Sequence, residues 1–136
     1  MRFVDTNILL YAVSTAKKEQ AKSEVARGLL DADDLALSVQ VLQEFYVQAT
    51  RPTRTDRLSH QQTAGLIEAW LRFPVQESTV ALMQAALGAA QRFRLSLWDA
   101  AIVEAARMLG CATLLSEDLQ HNRDYGGVRV KNPFRS

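Results

Sequence analysis

The chain has 136 residues, enough for one domain with a proper core, and its 48% hydrophobic and 23% charged content is ordinary for a soluble globular protein. Sixteen Lys+Arg against 15 Asp+Glu leave a formal net charge of +1, without the broad basic excess of many nucleic-acid binders. The single cysteine, Cys111, excludes an intrachain disulfide framework and a multi-cysteine zinc site. No run approaches the ~20 apolar residues of a membrane span and no charged-then-apolar leader precedes Asp5, so a cytoplasmic protein is expected.

The chain opens on a short apolar run, Arg2-Phe3-Val4, cut by Asp5-Thr6-Asn7 before Ile8-Leu9-Leu10 resumes it. This reads as a buried strand, a turn and a helix running to about Ser14. Thr6 or Asn7 can cap that helix through a side-chain oxygen, and Asp5 is either a cap itself or a carboxylate set at the strand's end for chemistry. A second helix spans about Lys17 to Asp31, with Ala21, Val25, Ala26, Leu29 and Leu30 on one face. After the turn Asp31–Asp34, Leu35–Ser38 is a short strand. It leads into a helix from Val39 to about Thr50 with the stripe Val41, Leu42, Phe45, Tyr46 and Ala49.

Pro52 and three arginines, Arg51, Arg54 and Arg57, break the pattern. Ser59 starts another helix whose expected core contacts are Ala64, Ile67, Trp70 and Leu71. Phe73-Pro74-Val75 reads as an edge strand, where proline is tolerated. An alanine-rich helix follows from Thr79 to about Phe93. Another runs from Leu97 to Leu109, capped near Ser96 and ended by Gly110. Ala112–Leu115 and Val128–Val130 are the last strands. Short apolar strands alternating with helices predict an α/β fold with a parallel sheet covered on both faces, a single domain over residues 1–136.

Four acids stand out against this pattern. Asp5 ends the first strand, Glu44 lies in the first turns of the helix after the second, and Asp118 follows the strand ending at Leu115. All three fall at the carboxyl rim of a parallel sheet, where open α/β sheets bind ligands. Asp99 interrupts an apolar helix near its N-terminus and joins them if that helix also begins at the rim. Two unit charges ~4 Å apart repel by about 4 kcal/mol at an effective dielectric of 20. Four carboxylates on one rim therefore call for protons, basic partners or a cation. Oxygen-only ligation suits Mg²⁺ or Mn²⁺, and such an ion suits phosphodiester hydrolysis by activated water, with no amino-acid nucleophile. Cys111 reads as a buried filler and His60 as a surface residue, while His121 lies in the loop after Asp118, within reach of the rim.

The pieces Val4-Asp5-Thr6-Asn7-Ile8-Leu9-Leu10, Gln43-Glu44-Phe45, Trp98-Asp99-Ala100-Ala101-Ile102 and Leu115-Ser116-Glu117-Asp118-Leu119 occur in an order and spacing that resembles the PIN-domain family. Within that family the resemblance is to VapC-type toxins of toxin–antitoxin pairs, and it covers the whole chain. It implies a three-layer α/β/α sandwich with a short, mostly parallel sheet and a Mg²⁺- or Mn²⁺-dependent endoribonuclease. It assigns Asp5, Glu44, Asp99 and Asp118 to metal binding and water activation, with Thr6, Asn7 and Ser116 as hydrogen-bonding support and Ser38 as a weaker match. Glu117, adjacent to Asp118, is left as a supporting or substrate-facing group. The resemblance also implies an RNA substrate, often tRNA, a cognate antitoxin protein and a homodimer.

Twelve of the 16 basic residues are Arg, the better type for bidentate phosphate contacts. Arg51, Arg54, Arg57, Arg92, Arg94 and Arg123 are the candidates for RNA contact. Competing readings fit less well. An aspartate-phosphorylated hydrolase wants a second Asp where Asn7 stands, and a dinucleotide binder wants a glycine-rich turn after the first strand. A non-catalytic RNA- or protein-binding module on the same fold remains the alternative, although a surface for RNA gains nothing from four acids.

Overall fold

In the computed structural model, which describes residues 1–135, Arg2–Val4 forms an interior strand, β1, of a six-stranded sheet. The others are β2 (Leu35–Ser38), β3 (Val75–Gln76), β4 (Thr113–Leu115), β5 (Asp124–Tyr125) and β6 (Val128–Lys131), in the order β3-β2-β1-β4-β6-β5. Every pairing is parallel except the β5–β6 hairpin. Six helices join the strands: α1 (Thr6–Ala12), α2 (Gln20–Leu30), α3 (Val39–Ala49), α4 (His60–Trp70), α5 (Val80–Phe93) and α6 (Leu97–Met108).

From β1 the chain steps outward to β2 and then β3, through α1–α2 and α3–α4. It then returns through α5–α6 to β4, on the other side of β1. Right-handed crossovers in opposite directions put the two helix groups on opposite faces. The packing agrees: α1 lies on α2 and α3, and α3 on α4, while α5 pairs with α6, which crosses β2, β3, β4 and β6. The result is the α/β/α sandwich expected from the sequence. Its strand order reverses between β1 and β4, the point where such sheets hold their ligands.

The strands are short but wholly apolar where it matters. Phe3, Val4, Leu35, Ala36, Leu37 and Leu114 are completely buried, each large side chain contributing about 1.5–3 kcal/mol. Phe45 of α3 meets Trp70 of α4 edge-on at 4.8 Å between ring centroids, closing the outer helical layer. Cys111 is buried, as expected, and Gly110 ends α6 with φ 77°, a left-handed conformation that favours glycine.

Several expectations are corrected at the level of single residues. Asp5 caps α1, its carboxylate accepting from the Thr6 N–H, so neither Thr6 nor Asn7 is the cap. The segment from Lys17 starts as a single 3₁₀ turn, Lys17–Glu19, before α2. The inner face of α2 is Ser23, Ala26 and Leu30, and Ala21 and Val25 face solvent. Leu71 falls just past α4 and is exposed. The edge strand is Val75–Gln76, with Phe73 buried ahead of it. The hairpin partner β5 was not expected: two residues are too short to carry a period-two pattern, and the Gly126-Gly127 turn, with φ 63° and 101°, is its only local signal.

Candidate active site

Asp5 follows β1 directly, and its backbone N–H is held by the Leu115 carbonyl of the neighbouring strand. The parallel register that aligns Val4 with Leu115 therefore brings Asp5 and Ser116 side by side at the carboxyl rim. Ser116 Oγ donates to Asp5 Oδ2 at 2.7 Å, and the Thr6 N–H donates to Oδ1 at 2.8 Å. Asp5 is 7% exposed. Burial pushes its carboxyl up, the bonds from Ser116 and Thr6 oppose this, and the charges of Asp118 and Glu44 push the same way as burial, for a pKa of about 6. Asp5 thus lies near enough to Glu44 and Asp118 to feel both charges.

Ser116 and Asn7 organise the fourth-strand side. Ser116 Oγ accepts from the backbone N–H of Asp118 at 3.2 Å, turning the loop back toward β1. Asn7 Nδ2 donates to Asp118 Oδ2 at 3.1 Å, and Asn7 Oδ1 accepts from the Glu117 N–H at 3.2 Å. On the second-strand side, Thr6 Oγ1 donates to Glu44 Oε2 at 2.8 Å. Gln40, one helical turn before Glu44, donates to Oε1 at 2.8 Å. The same Gln40 amide reaches the Trp98 carbonyl at 3.2 Å, tying the start of α3 to the start of α6. Asp99, in the first turn of α6 with its N–H capped by Ser96 Oγ, is therefore one residue from a group bonded to Glu44's own partner. Its helix does begin beside the acids.

Glu117 does not join them. Its carboxylate takes the Tyr11 hydroxyl at 2.5 Å and Lys22 Nζ at 2.6 Å. Burial works to raise this carboxyl, but Lys22 and Tyr11 outweigh it and the net shift is downward. Ser38, at the end of β2, caps α3, accepting from the Val41 N–H at 3.2 Å. His121 is likewise engaged elsewhere, its Nδ1 accepting from the Asn132 N–H at 2.9 Å. His60, exposed, shares a hydrogen bond with the Tyr46 hydroxyl.

Of the six arginines, Arg54 is the one brought to the acids. It lines a polar cleft of about 190 Å³ with Asn7, Tyr11, Glu117 and Asp118. It is ion-paired to Asp56 at 2.9 Å, although its Nε–H is not aimed well enough to make a hydrogen bond there. Arg51 and Arg57 are exposed in the same loop. Arg92 lies over Phe93 and Arg123 over Tyr125, and those two rings pack edge-on at 5.3 Å by the β5–β6 hairpin. Arg94, in a left-handed conformation, ends α5.

Gln40, bonded to Glu44, and Tyr11 and Lys22, bonded to Glu117, are residues that sequence reasoning missed. Gln40 precedes Glu44 by four and Tyr11 follows Asn7 by four, the spacing at which helical side chains share a face. Lys22 carries no such signal.

The donor set fits a hard divalent cation. It is all oxygen, and among the described residues no Lys, Arg or His forms an ion pair with Asp5, Glu44, Asp99 or Asp118. The carboxylates stand apart on separate partners, and among the described residues no three acid, thiol or imidazole groups are gathered tightly enough to chelate an ion as they stand.

Acids at the ends of β1 and β4 and at the starts of α3 and α6 define an acidic α/β/α fold, and the PIN domain family model matches residues 2–125. The chain belongs to the PIN domain family. It is similar in structure to a toxin–antitoxin complex from Klebsiella pneumoniae, with TM-score 0.71 and 20% identity over 100% of both chains. It is also similar to Mycobacterium tuberculosis VapC20, a toxin that cleaves the sarcin–ricin loop, with TM-score 0.68 and 20% identity over 87% of this chain and 92% of that one. DNA-bound VapBC from Salmonella typhimurium gives TM-score 0.65 and 14% identity over 98% of each chain. At these identities the likeness shows a shared fold. No curated protein sequence matches the chain.

Proposed function

We propose that this protein is a divalent-metal-dependent endoribonuclease, the toxin of a toxin–antitoxin pair, folded as a single domain over residues 1–136. The observation that carries the reading is Asp5: a buried carboxylate without a basic partner, at the sheet's switch point, facing Glu44 and Asp118. Nothing in the core calls for a charge there. Membership of the PIN family and the fold shared with toxin–antitoxin structures support the same reading.

In this reading Asp5, Glu44, Asp99 and Asp118 hold Mg²⁺ or Mn²⁺, which supplies charge neutralisation of the phosphodiester and a water of lowered pKa. Ser116 and Thr6 fix the oxygens of Asp5 and Glu44 through bonds of 2.7 and 2.8 Å. Asn7 holds Asp118, and Gln40 holds Glu44 against the start of α6. Arg54, in the cleft wall beside Asp118, is the best placed of the arginines to meet a phosphate of the RNA. An antitoxin that covers the acids and a homodimer complete the proposal, along with a cytoplasmic location and structured RNA such as tRNA as substrate.

The test is cleavage of total bacterial RNA by the purified protein with Mg²⁺, Mn²⁺ or EDTA, beside Asp5→Asn and Asp99→Asn. Discrete fragments are expected with metal only, lost by at least about a hundredfold in both variants. Cleavage that survives EDTA or both substitutions would overturn the reading. RNA binding without cleavage and indifferent to metal would establish a binding module instead.

A further inference from the structure

The loop after β4 offers two adjacent acids, Glu117 and Asp118, at one rim, and the fold sends their side chains to different places. Asp118 is held by Asn7, within reach of the charge on Asp5. Glu117 is drawn the other way by two groups carried on α1 and α2. Tyr11, one turn along α1 from Asn7, donates its hydroxyl at 2.5 Å. Lys22, from α2, places Nζ 2.6 Å from the other carboxylate oxygen. Lys22 is itself confined: its Nζ lies 5.0 Å from the Tyr11 ring centroid and 5.7 Å from that of Phe134, and the two rings meet edge-on at 4.9 Å. A half-exposed ammonium held between two aromatic rings has few other directions in which to point.

We infer that Lys22 and Tyr11 are positioning residues that hold Glu117 out of the acid pocket, so that the loop presents Asp118 alone. This rests on the metal-site reading above. The physical reason is charge. Glu117 has a side chain only 25% exposed and sits next to Asp118 in sequence. Without Lys22 it is a poorly solvated, unpaired anion beside a pocket that collects a divalent cation. It then swings toward that cation, adding a carboxylate to the site and dragging Asp118 off its side-chain bond to Asn7 and its backbone bond to Ser116.

The arrangement has an unusual signature, because releasing Glu117 tightens cation binding while it damages catalysis. Ordinary loss of structure weakens both. The experiment measures Mn²⁺ binding to the full chain without RNA, by electron paramagnetic resonance, together with kcat and KM for RNA cleavage. Lys22→Met is expected to bind Mn²⁺ about fivefold or more tightly and to lose about tenfold or more in kcat, with KM little changed. Lys22→Arg, which keeps the charge, stays close to the parent in both. Adding Glu117→Gln to Lys22→Met removes the stray charge and returns Mn²⁺ affinity to the parent value. Tyr11→Phe, which removes one bond and no charge, shifts both quantities in the direction of Lys22→Met but less.

Unchanged or weaker Mn²⁺ binding in Lys22→Met would overturn the inference, as would failure of Glu117→Gln to reverse the change. The metal-site reading fails separately, and takes this inference with it, if the parent protein binds no Mn²⁺ or binds it equally well as Asp5→Asn.

Discussion

Asp5 carries two duties that pull against each other. As the cap of α1 it satisfies an N–H, and as a buried carboxylate it carries a charge that the fold does not neutralise. Its folded pKa of about 6 lies above the ordinary 3.8, so the folded state holds this proton more tightly than the unfolded chain. Stability from this group is fully present below about pH 4, falls as pH rises toward 6, and is absent above it. The cost at neutral pH is on the order of 3 kcal/mol by linkage. Asp5→Asn removes the charge and keeps one acceptor oxygen, for the Thr6 N–H, while its amide nitrogen donates to the Ser116 hydroxyl in place of accepting from it. Thermal melts without metal should show the variant more stable than the parent at pH 8, by roughly 5 °C or more, and close to it at pH 4. An equal shift at both pH values would remove the electrostatic explanation. The same melts with added Mn²⁺ should narrow the pH 8 gap by stabilising only the parent.

Between elements, the sheet's hairpin edge depends on one arginine. Arg107, near the end of α6, pairs with Glu104 at 3.1 Å and donates to the carbonyls of Tyr125 and Gly126. Glu104 is 8% exposed, so deleting its partner leaves an unpaired, nearly buried carboxylate. Arg107→Met should cost about 2 kcal/mol or more in urea unfolding at pH 7. This junction also shows what the sequence could carry. The long helices and the apolar strands β1, β2 and β4 were legible because their periodicity spans several residues, and the four acids because each interrupts such a pattern. Hairpin strand β5 was not legible at two residues long. Val25 and Leu71 were misplaced for a related reason: helical spacing gives a stripe but not its edges, and which edge faces inward depends on the neighbours it meets. Lys22 was invisible because its partner, Glu117, lies 95 residues away.

At the scale of the molecule, one face stays apolar. Val80, Met83 and Leu87 recur along α5 at spacings of three and four and are half or more exposed, as is Trp98 at 67% beside Leu97. These residues, Leu87 excepted, line a cleft of about 330 Å³ together with Gln40. The proposed homodimer has its natural seam here, since an apolar helical stripe of this kind buries best against another. Met83→Glu should shift the protein toward monomer in analytical ultracentrifugation without lowering its melting temperature as a monomer. A dimer that survives the change would place the seam elsewhere.

The central place of β1 has a consequence for the order in which the acid rim is assembled. β1 is flanked by β4, and the hydroxyl that fixes Asp5 comes from Ser116, 111 residues later. A nascent chain that has emerged only as far as α6 holds three of the four acids, yet lacks the strand that completes the rim, the serine that orients the first acid, and the fourth acid itself. The fold thus delays the rim until β4 and Ser116 have been made. A chain ended before β4 carries an incomplete rim, without Ser116 and Asp118.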